Sequence, residues 1–119
     1  MIATRQSAGP DGVESRRAPR FQPEDLAEPV LVIGSRLVNI ARGGLMLEAP
    51  VPFAPGSTLH LHLLVGGERA EVDARVRGCV LRPHGRREVW GVGVEFENLD
   101  PAARERLDRA LDRARRGQA

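Results

Sequence analysis

Arginine is the residue type with the clearest chemical potential, since all 18 basic residues of this 119-residue sequence are arginine and none is lysine. Arg16, Arg17 and Arg20 cluster on a segment in which Pro19 and Pro23 disfavour a helix, so we expect it to be extended. A guanidinium group can donate two parallel hydrogen bonds to a phosphate, and it can stack on planar rings. Taken alone, however, the cluster is equally typical of a solvated basic run.

The other reactive residue types form no catalytic or metal-binding pattern by their spacing. His60 and His62 are two residues apart and share one strand face, but no third metal ligand is evident in the sequence, so they predict an exposed polar face. Cys79 is the only cysteine and lies in an alternating apolar stretch, as a small buried residue does. The sequence therefore predicts a binding protein with no metal site and no enzymatic activity.

Length and composition limit the class further. The chain is long enough for one domain, and its 41% hydrophobic and 29% charged residues are typical of a globular protein. A net charge of +2 and only four aromatic residues argue against a nucleic-acid polymer as the partner. No apolar run approaches the roughly 20 residues of a membrane helix, and the first residues do not resemble a secretory signal. We expect a cytoplasmic protein without membrane insertion.

Short strands dominate the middle of the sequence. Alternation of apolar and charged residues over 70–80 is the cleanest period-two pattern, and it predicts a long strand with one buried face. Residues 30–38 form a second strand signal, and 59–63 alternate in the same way. Gly66 and Gly67 predict a hairpin turn between two of these strands. Strands separated by turns, without helices between them, predict an antiparallel sheet that closes into a barrel.

The two ends of the sequence differ from this middle. Residues 1–14 are small and polar and predict a flexible arm, and residues 15–116 form the predicted domain. Within that domain we expect the barrel at about 28–98 and a C-terminal helix at about 100–116. Asp100 would cap the helix, and an apolar stripe at helical spacing would pack it against the barrel.

Three features together resemble the PilZ domain family over roughly residues 15–113. The first is an Arg-x-x-x-Arg motif, present as Arg16-Arg17-Ala18-Pro19-Arg20. The second, about twenty residues on, is the family's [Asp/Asn]-x-Ser-x-x-Gly motif, present as Asn39-Ile40-Ala41-Arg42-Gly43-Gly44. The third is a late strand, Trp90-Gly-Val-Gly-Val-Glu-Phe, before the helix. The resemblance implies an all-β, six-stranded antiparallel barrel with a C-terminal α-helix, and cyclic di-GMP as the ligand.

Carried over residue by residue, the resemblance implies a ligand site in two halves. Its binding residues would be Arg16, Arg17, Arg20, Asn39, Ala41 and Gly44. The arginines would hold phosphate and guanine, Asn39 would bond a guanine edge, and Gly44 would allow a tight turn and a close backbone approach. Ala41 departs from the family's usual serine, and the missing hydroxyl represents about 1 kcal/mol of hydrogen bonding.

Two functions follow from the resemblance. The first is a cyclic di-GMP receptor or adaptor that signals to an unidentified effector protein when the ligand orders its N-terminal arginine segment. The alternative is a degenerate adaptor that no longer binds the nucleotide and acts by protein contact, as in motility or pilus regulation. Ala41 and Asn39, the latter where aspartate is commoner, favour the alternative.

Overall fold

The chain folds into one curved antiparallel sheet followed by a helix. The computed structural model describes residues 19–26 and 28–118. The sheet contains six strands: β1 (Val30–Val32), β2 (Arg36–Ala41), β3 (Gly44–Ala49), β4 (Thr58–Val65), β5 (Glu68–His84) and β6 (Arg87–Leu99). The helix, α1, spans Pro101–Gln118.

The strands follow the order β1-β4-β5-β6-β3-β2, and every neighbouring pair is antiparallel. The two outer strands, β1 and β2, are joined by a short turn, so the sheet curves round into a nearly closed barrel. This architecture confirms the predicted six-stranded barrel with a C-terminal helix.

The first strand signal, predicted as one segment over residues 30–38, is two strands in the structure. Gly34 has a φ of 86°, in the left-handed region that favours glycine, and it turns the chain between β1 and β2. Apolar residues on both sides make the segment look continuous, although Gly34, Ser35 and Arg36 interrupt it between Ile33 and Leu37. The predicted turn at Gly66 and Gly67 is confirmed, because both have positive φ and they join Val65 to Glu68.

Alternate side chains of the strands fill the interior of the barrel. The largest completely buried side chains are Ile40, Leu45, Leu63, Leu107, Val30, Val65, Val72, Val76 and Val92. Burying one such side chain contributes about 1.5–3 kcal/mol, so these residues supply most of the driving force for closing the barrel.

Helix α1 adds its own apolar face to this core. Ala103, Leu107, Ala110 and Leu111 are buried, and the helix packs against β4. Asp100 caps the helix as predicted, because its Oδ2 accepts hydrogen bonds from two main-chain N–H groups of the first turn. Among the residues that the structure describes, no helix is both long enough and apolar enough to cross a membrane.

Candidate ligand-binding site

The segment before the barrel is fixed to β2 by a short antiparallel bridge. The N–H of Phe21 donates to the carbonyl oxygen of Ile40 at 2.8 Å, and the N–H of Ile40 donates back at 3.0 Å. Phe21 is 3% exposed and belongs to the core. A buried aromatic side chain and two main-chain hydrogen bonds therefore set where the preceding residue lies on the surface.

That preceding residue, Arg20, contacts the second half of the predicted site directly. Its Nη1 donates a hydrogen bond to Oδ1 of Asn39 at 2.8 Å. Arg20 and Asn39 each lie next to a residue of the bridge, which brings their side chains together although they are 19 positions apart. The first and second motifs thus meet in space at these two residues.

The electrostatics of Arg20 suit recognition of an anion. The side chain is exposed, yet the protein around its guanidinium desolvates it in part and lowers its pKa from the ordinary value. An arginine remains charged despite such a shift. One N–H is bonded to Asn39, and among the residues that the structure describes no other side chain is bonded to the guanidinium, which leaves donors for a phosphate or a purine edge.

Ala41 and Gly44 face each other across the hairpin formed by β2 and β3. Ala41 is 3% exposed. It lies two residues from Asn39 on the same strand, and therefore on the same face, opposite to that of Ile40. Position 41 thus points toward the side of the sheet that carries the Arg20–Asn39 pair, but with a methyl group in place of a hydroxyl.

Gly44 is required by packing and not by an unusual backbone angle. A Cβ at this position would lie 2.1 Å from the main-chain oxygen of Val94 on β6, which is far inside van der Waals contact. A Cβ added at the neighbouring Gly43 would have no atom within 4 Å. The carbonyl oxygen of Gly43 accepts a hydrogen bond from the N–H of Phe96 at 2.8 Å. The close backbone approach expected at Gly44 is therefore an approach of strand β6.

The tip of this hairpin is also attached to helix α1, a contact that the sequence did not reveal. Nη1 of Arg104 donates to the carbonyl oxygen of Arg42 at 2.6 Å and lies 3.4 Å from Oδ1 of Asp108. Nε of Arg42 lies 3.3 Å from the same Oδ1. Charged residues on the polar face of a helix are usually solvated, and only the position of the helix against the barrel shows that Arg104 and Asp108 hold the turn.

The structure therefore brings together four of the six predicted site residues, namely Arg20, Asn39, Ala41 and Gly44. The other two, Arg16 and Arg17, lie outside the residues that the structure describes, as does the predicted N-terminal arm at 1–14. Their place in the site stays a prediction.

The fold is that of a small antiparallel β-barrel with a C-terminal helix, and an arginine is fixed beside one of its hairpins. The family model of the PilZ domain matches residues 14–113. The chain belongs to the PilZ domain family.

Among solved structures, the chain is similar to the PilZ domain with c-di-GMP of YcgR from Escherichia coli, with a TM-score of 0.57 and 16% sequence identity. The similarity covers 87% of this chain and 93% of that one, and at this identity it concerns the fold. No curated protein matches the chain by sequence.

Proposed function

We propose that this protein is a cytoplasmic cyclic di-GMP receptor that binds its ligand between the N-terminal arginine segment and the β2–β3 hairpin. The observation that carries the proposal is the hydrogen bond from Arg20 to Asn39, because it joins the two motifs at one place on the barrel. Membership of the PilZ family supports it, as does the similarity in fold to a domain whose structure contains c-di-GMP.

The chemistry of the ligand matches the residue types at this place. Cyclic di-GMP carries two phosphates and two guanines, and an arginine fork binds either group with two parallel hydrogen bonds. Arg20 supplies one fork from a fixed position, and Arg16 and Arg17 precede it by four and three residues, respectively. Asn39 would exchange its bond with Arg20 for one with a guanine edge, or keep it and orient the arginine.

Signalling would follow from what binding does to the arginine segment. Arg20 is already fixed beside Asn39, so the ordering would concern the arginine segment that precedes it. The ligand would bridge Arg16 and Arg17 to the hairpin, and the new surface would bind an effector protein. Because the hairpin is attached to α1 through Arg104 and Asp108, the helix is the element through which a change at the turn reaches the rest of the domain.

Calorimetric titration of the purified protein with cyclic di-GMP tests the proposal. A good bidentate contact is worth about 1–3 kcal/mol, so Arg20→Ala should weaken binding by about tenfold or more. Arg86→Ala is the matched control, since it removes the same charge at the β5–β6 turn, at the opposite end of β6 from Gly44. Absence of binding at high micromolar ligand, or equal effects of the two variants, would refute the receptor.

Ala41 favours a second candidate function, an adaptor of the same fold that acts by protein contact without the nucleotide. The methyl group is buried on the face of β2 that carries Asn39, where the family usually has a hydroxyl. Such an adaptor would show no cyclic di-GMP binding in the wild type or in an Ala41→Ser variant, while retaining its protein partner in motility or pilus regulation.

A further inference from the structure

The outer face of the β4–β5 hairpin carries a cluster of two histidines and two carboxylates, which we call the histidine cluster: His60, His62, Glu71 and Asp73. The register of the hairpin places His60 opposite Asp73 and His62 opposite Glu71. All four side chains lie on the face away from the core, since the intervening Leu61 is buried. The cluster is separate from the arginine segment and from the β2–β3 hairpin.

Both ring nitrogens of His60 already contact a carboxylate. Nδ1 lies 2.7 Å from Oδ1 of Asp73, and Nε2 lies 2.7 Å from Oε1 of Glu71. The ring centroid of His62 is 5.2 Å from that of His60. One ligand atom from each of His60, His62 and Glu71 lies within 4.8 Å of the other two, so the three can converge on a single point.

His62 supplies an independent indication that this group of side chains is incomplete. Its Nδ1 is buried and has no hydrogen-bond partner among the residues that the structure describes. Buried polar atoms of native proteins are nearly always paired, and an unpaired one calls for an explanation such as an ion. A metal ion bound to Nδ1 of His62 would supply the missing partner, since either ring nitrogen of a neutral histidine can be a metal ligand.

We propose that His60, His62 and Glu71 bind a divalent transition-metal ion of intermediate softness, such as Zn²⁺. Two imidazoles and one carboxylate are a donor set that Zn²⁺ accepts, and the fourth position of a tetrahedral site is then open to water. Magnesium and calcium prefer oxygen ligands alone, so the two histidines select against them.

Asp73 is the positioning residue of this site. Metal-bound histidines commonly donate their other ring N–H to a carboxylate, which fixes the tautomer and the orientation of the ring. Asp73 is already in contact with Nδ1 of His60, and Asn98 holds it in place through a 3.0 Å hydrogen bond from Nδ2 to Oδ2. Nε2 of His60 therefore faces the metal once Glu71 moves.

Only small side-chain movements separate the observed arrangement from a coordinated one. Metal–ligand bonds of roughly 2.0–2.2 Å place the ligand atoms of a tetrahedral site about 3.4 Å apart. The observed ligand atoms lie within 4.8 Å of one another, on two directly paired strands. Glu71 must exchange its contact with His60 for one with the metal, and it is exposed enough to do so.

The competing state of the cluster is a protonated His60 held between two carboxylates. The hydrogen bonds to Asp73 and then to Glu71 raise the pKa of His60 from its ordinary value. A metal ion and this proton exclude each other at Nε2. Binding should therefore be measured over a range of pH, since it strengthens as His60 loses its proton.

The test uses the full chain without a polyhistidine tag, freed of metal by a chelator that is then removed. Calorimetry with Zn²⁺ should show one ion per chain, and Co²⁺ should give the strong visible absorption of a four-coordinate site. We expect His60→Gln, His62→Gln and Glu71→Gln each to weaken binding at least about tenfold, and Asp73→Asn by about 10–100-fold. His84→Gln is the matched control, because it removes the third histidine at the distant end of β5.

Absence of Zn²⁺ binding at high micromolar concentration would overturn the proposal, and so would equal effects of His84→Gln and the cluster variants. Circular dichroism of each variant separates loss of the site from loss of the fold. None of the four residues belongs to the proposed nucleotide site, so the result is independent of the cyclic di-GMP titration.

Discussion

The β2–β3 hairpin and the histidine cluster lie on the same barrel, but different forces position them. The hairpin is fixed by main-chain contacts, namely the approach of Gly44 to Val94 and the hydrogen bond from Arg104 to the carbonyl oxygen of Arg42. The histidine cluster consists of side chains on the outer face of β4 and β5, and only the register of that hairpin brings them together.

This difference shows how closely each region is coupled to the stability of the fold. A change in the β2–β3 hairpin disturbs β6 or helix α1, because those elements contact its backbone. A change in the histidine cluster leaves the backbone of β4 and β5 paired. We therefore expect substitutions in the hairpin to alter stability and substitutions in the cluster to alter ligand binding alone.

The largest effect should follow from Gly44→Ala. The added Cβ would lie 2.1 Å from the main-chain oxygen of Val94, and β3 would have to separate from β6. Overpacking of this kind costs about 3 kcal/mol or more, which denaturant unfolding measures. Gly43→Ala is the matched control with no atom within 4 Å, and it should cost less than about 0.5 kcal/mol. Similar losses in the free energy of unfolding would show that the close approach of β6 is not what makes Gly44 necessary.

Removing the contact between the helix and the hairpin should have a smaller effect. Arg104→Ala leaves the carbonyl oxygen of Arg42 without its charged donor, and we expect a loss of about 1.5 kcal/mol in the free energy of unfolding. Arg109→Ala is the control on the same helix, since among the residues that the structure describes Arg109 pairs with Glu105 of its own helix. That pair is worth about 0.3–0.5 kcal/mol. Equal losses would mean that the helix does not brace the turn.

Ala41→Ser tests whether the hairpin is a weakened nucleotide site. The new hydroxyl would lie on the same face as Asn39, and one ordinary hydrogen bond to the ligand contributes about 1 kcal/mol, or about a fivefold gain in affinity. Cyclic di-GMP titrations of the two proteins measure this directly. A decrease in affinity would instead indicate that the buried position cannot satisfy a hydroxyl.

The sequence predicted local structure better than contacts between distant elements. Alternation over residues 70–80 and the glycines of the β4–β5 turn were sufficient for β5 and its hairpin, whereas the break at Gly34 between β1 and β2 was not predicted. The reason for Gly44 was not accessible, because it depends on β6 lying beside β3, a pairing of strands that are far apart in sequence. The bracing of the turn by Arg104 likewise depends on where the helix packs.

The histidine cluster, in contrast, was accessible from the sequence but was missed. A two-residue turn at Gly66 and Gly67 fixes the register of the whole hairpin, and counting outward from it places Glu71 beside His62. The prediction that no third ligand is present used only the spacing of His60 and His62 along one strand. That spacing does not reveal that Glu71 lies beside His62 on the neighbouring strand. Turn geometry is thus a sequence signal for composite sites on adjacent strands.

The smallest effect on stability should come from the histidine cluster itself. His60→Gln removes contacts between exposed side chains, whose net contribution is small because water screens them and ordering them costs entropy. In the presence of a chelator, we expect its unfolding curve to overlay that of the wild type. A loss as large as that of Arg104→Ala would instead make the cluster a structural element, and the contrast between the two regions would then disappear. An overlay in chelator combined with loss of the Zn²⁺-dependent rise in melting temperature would assign the cluster to metal binding alone.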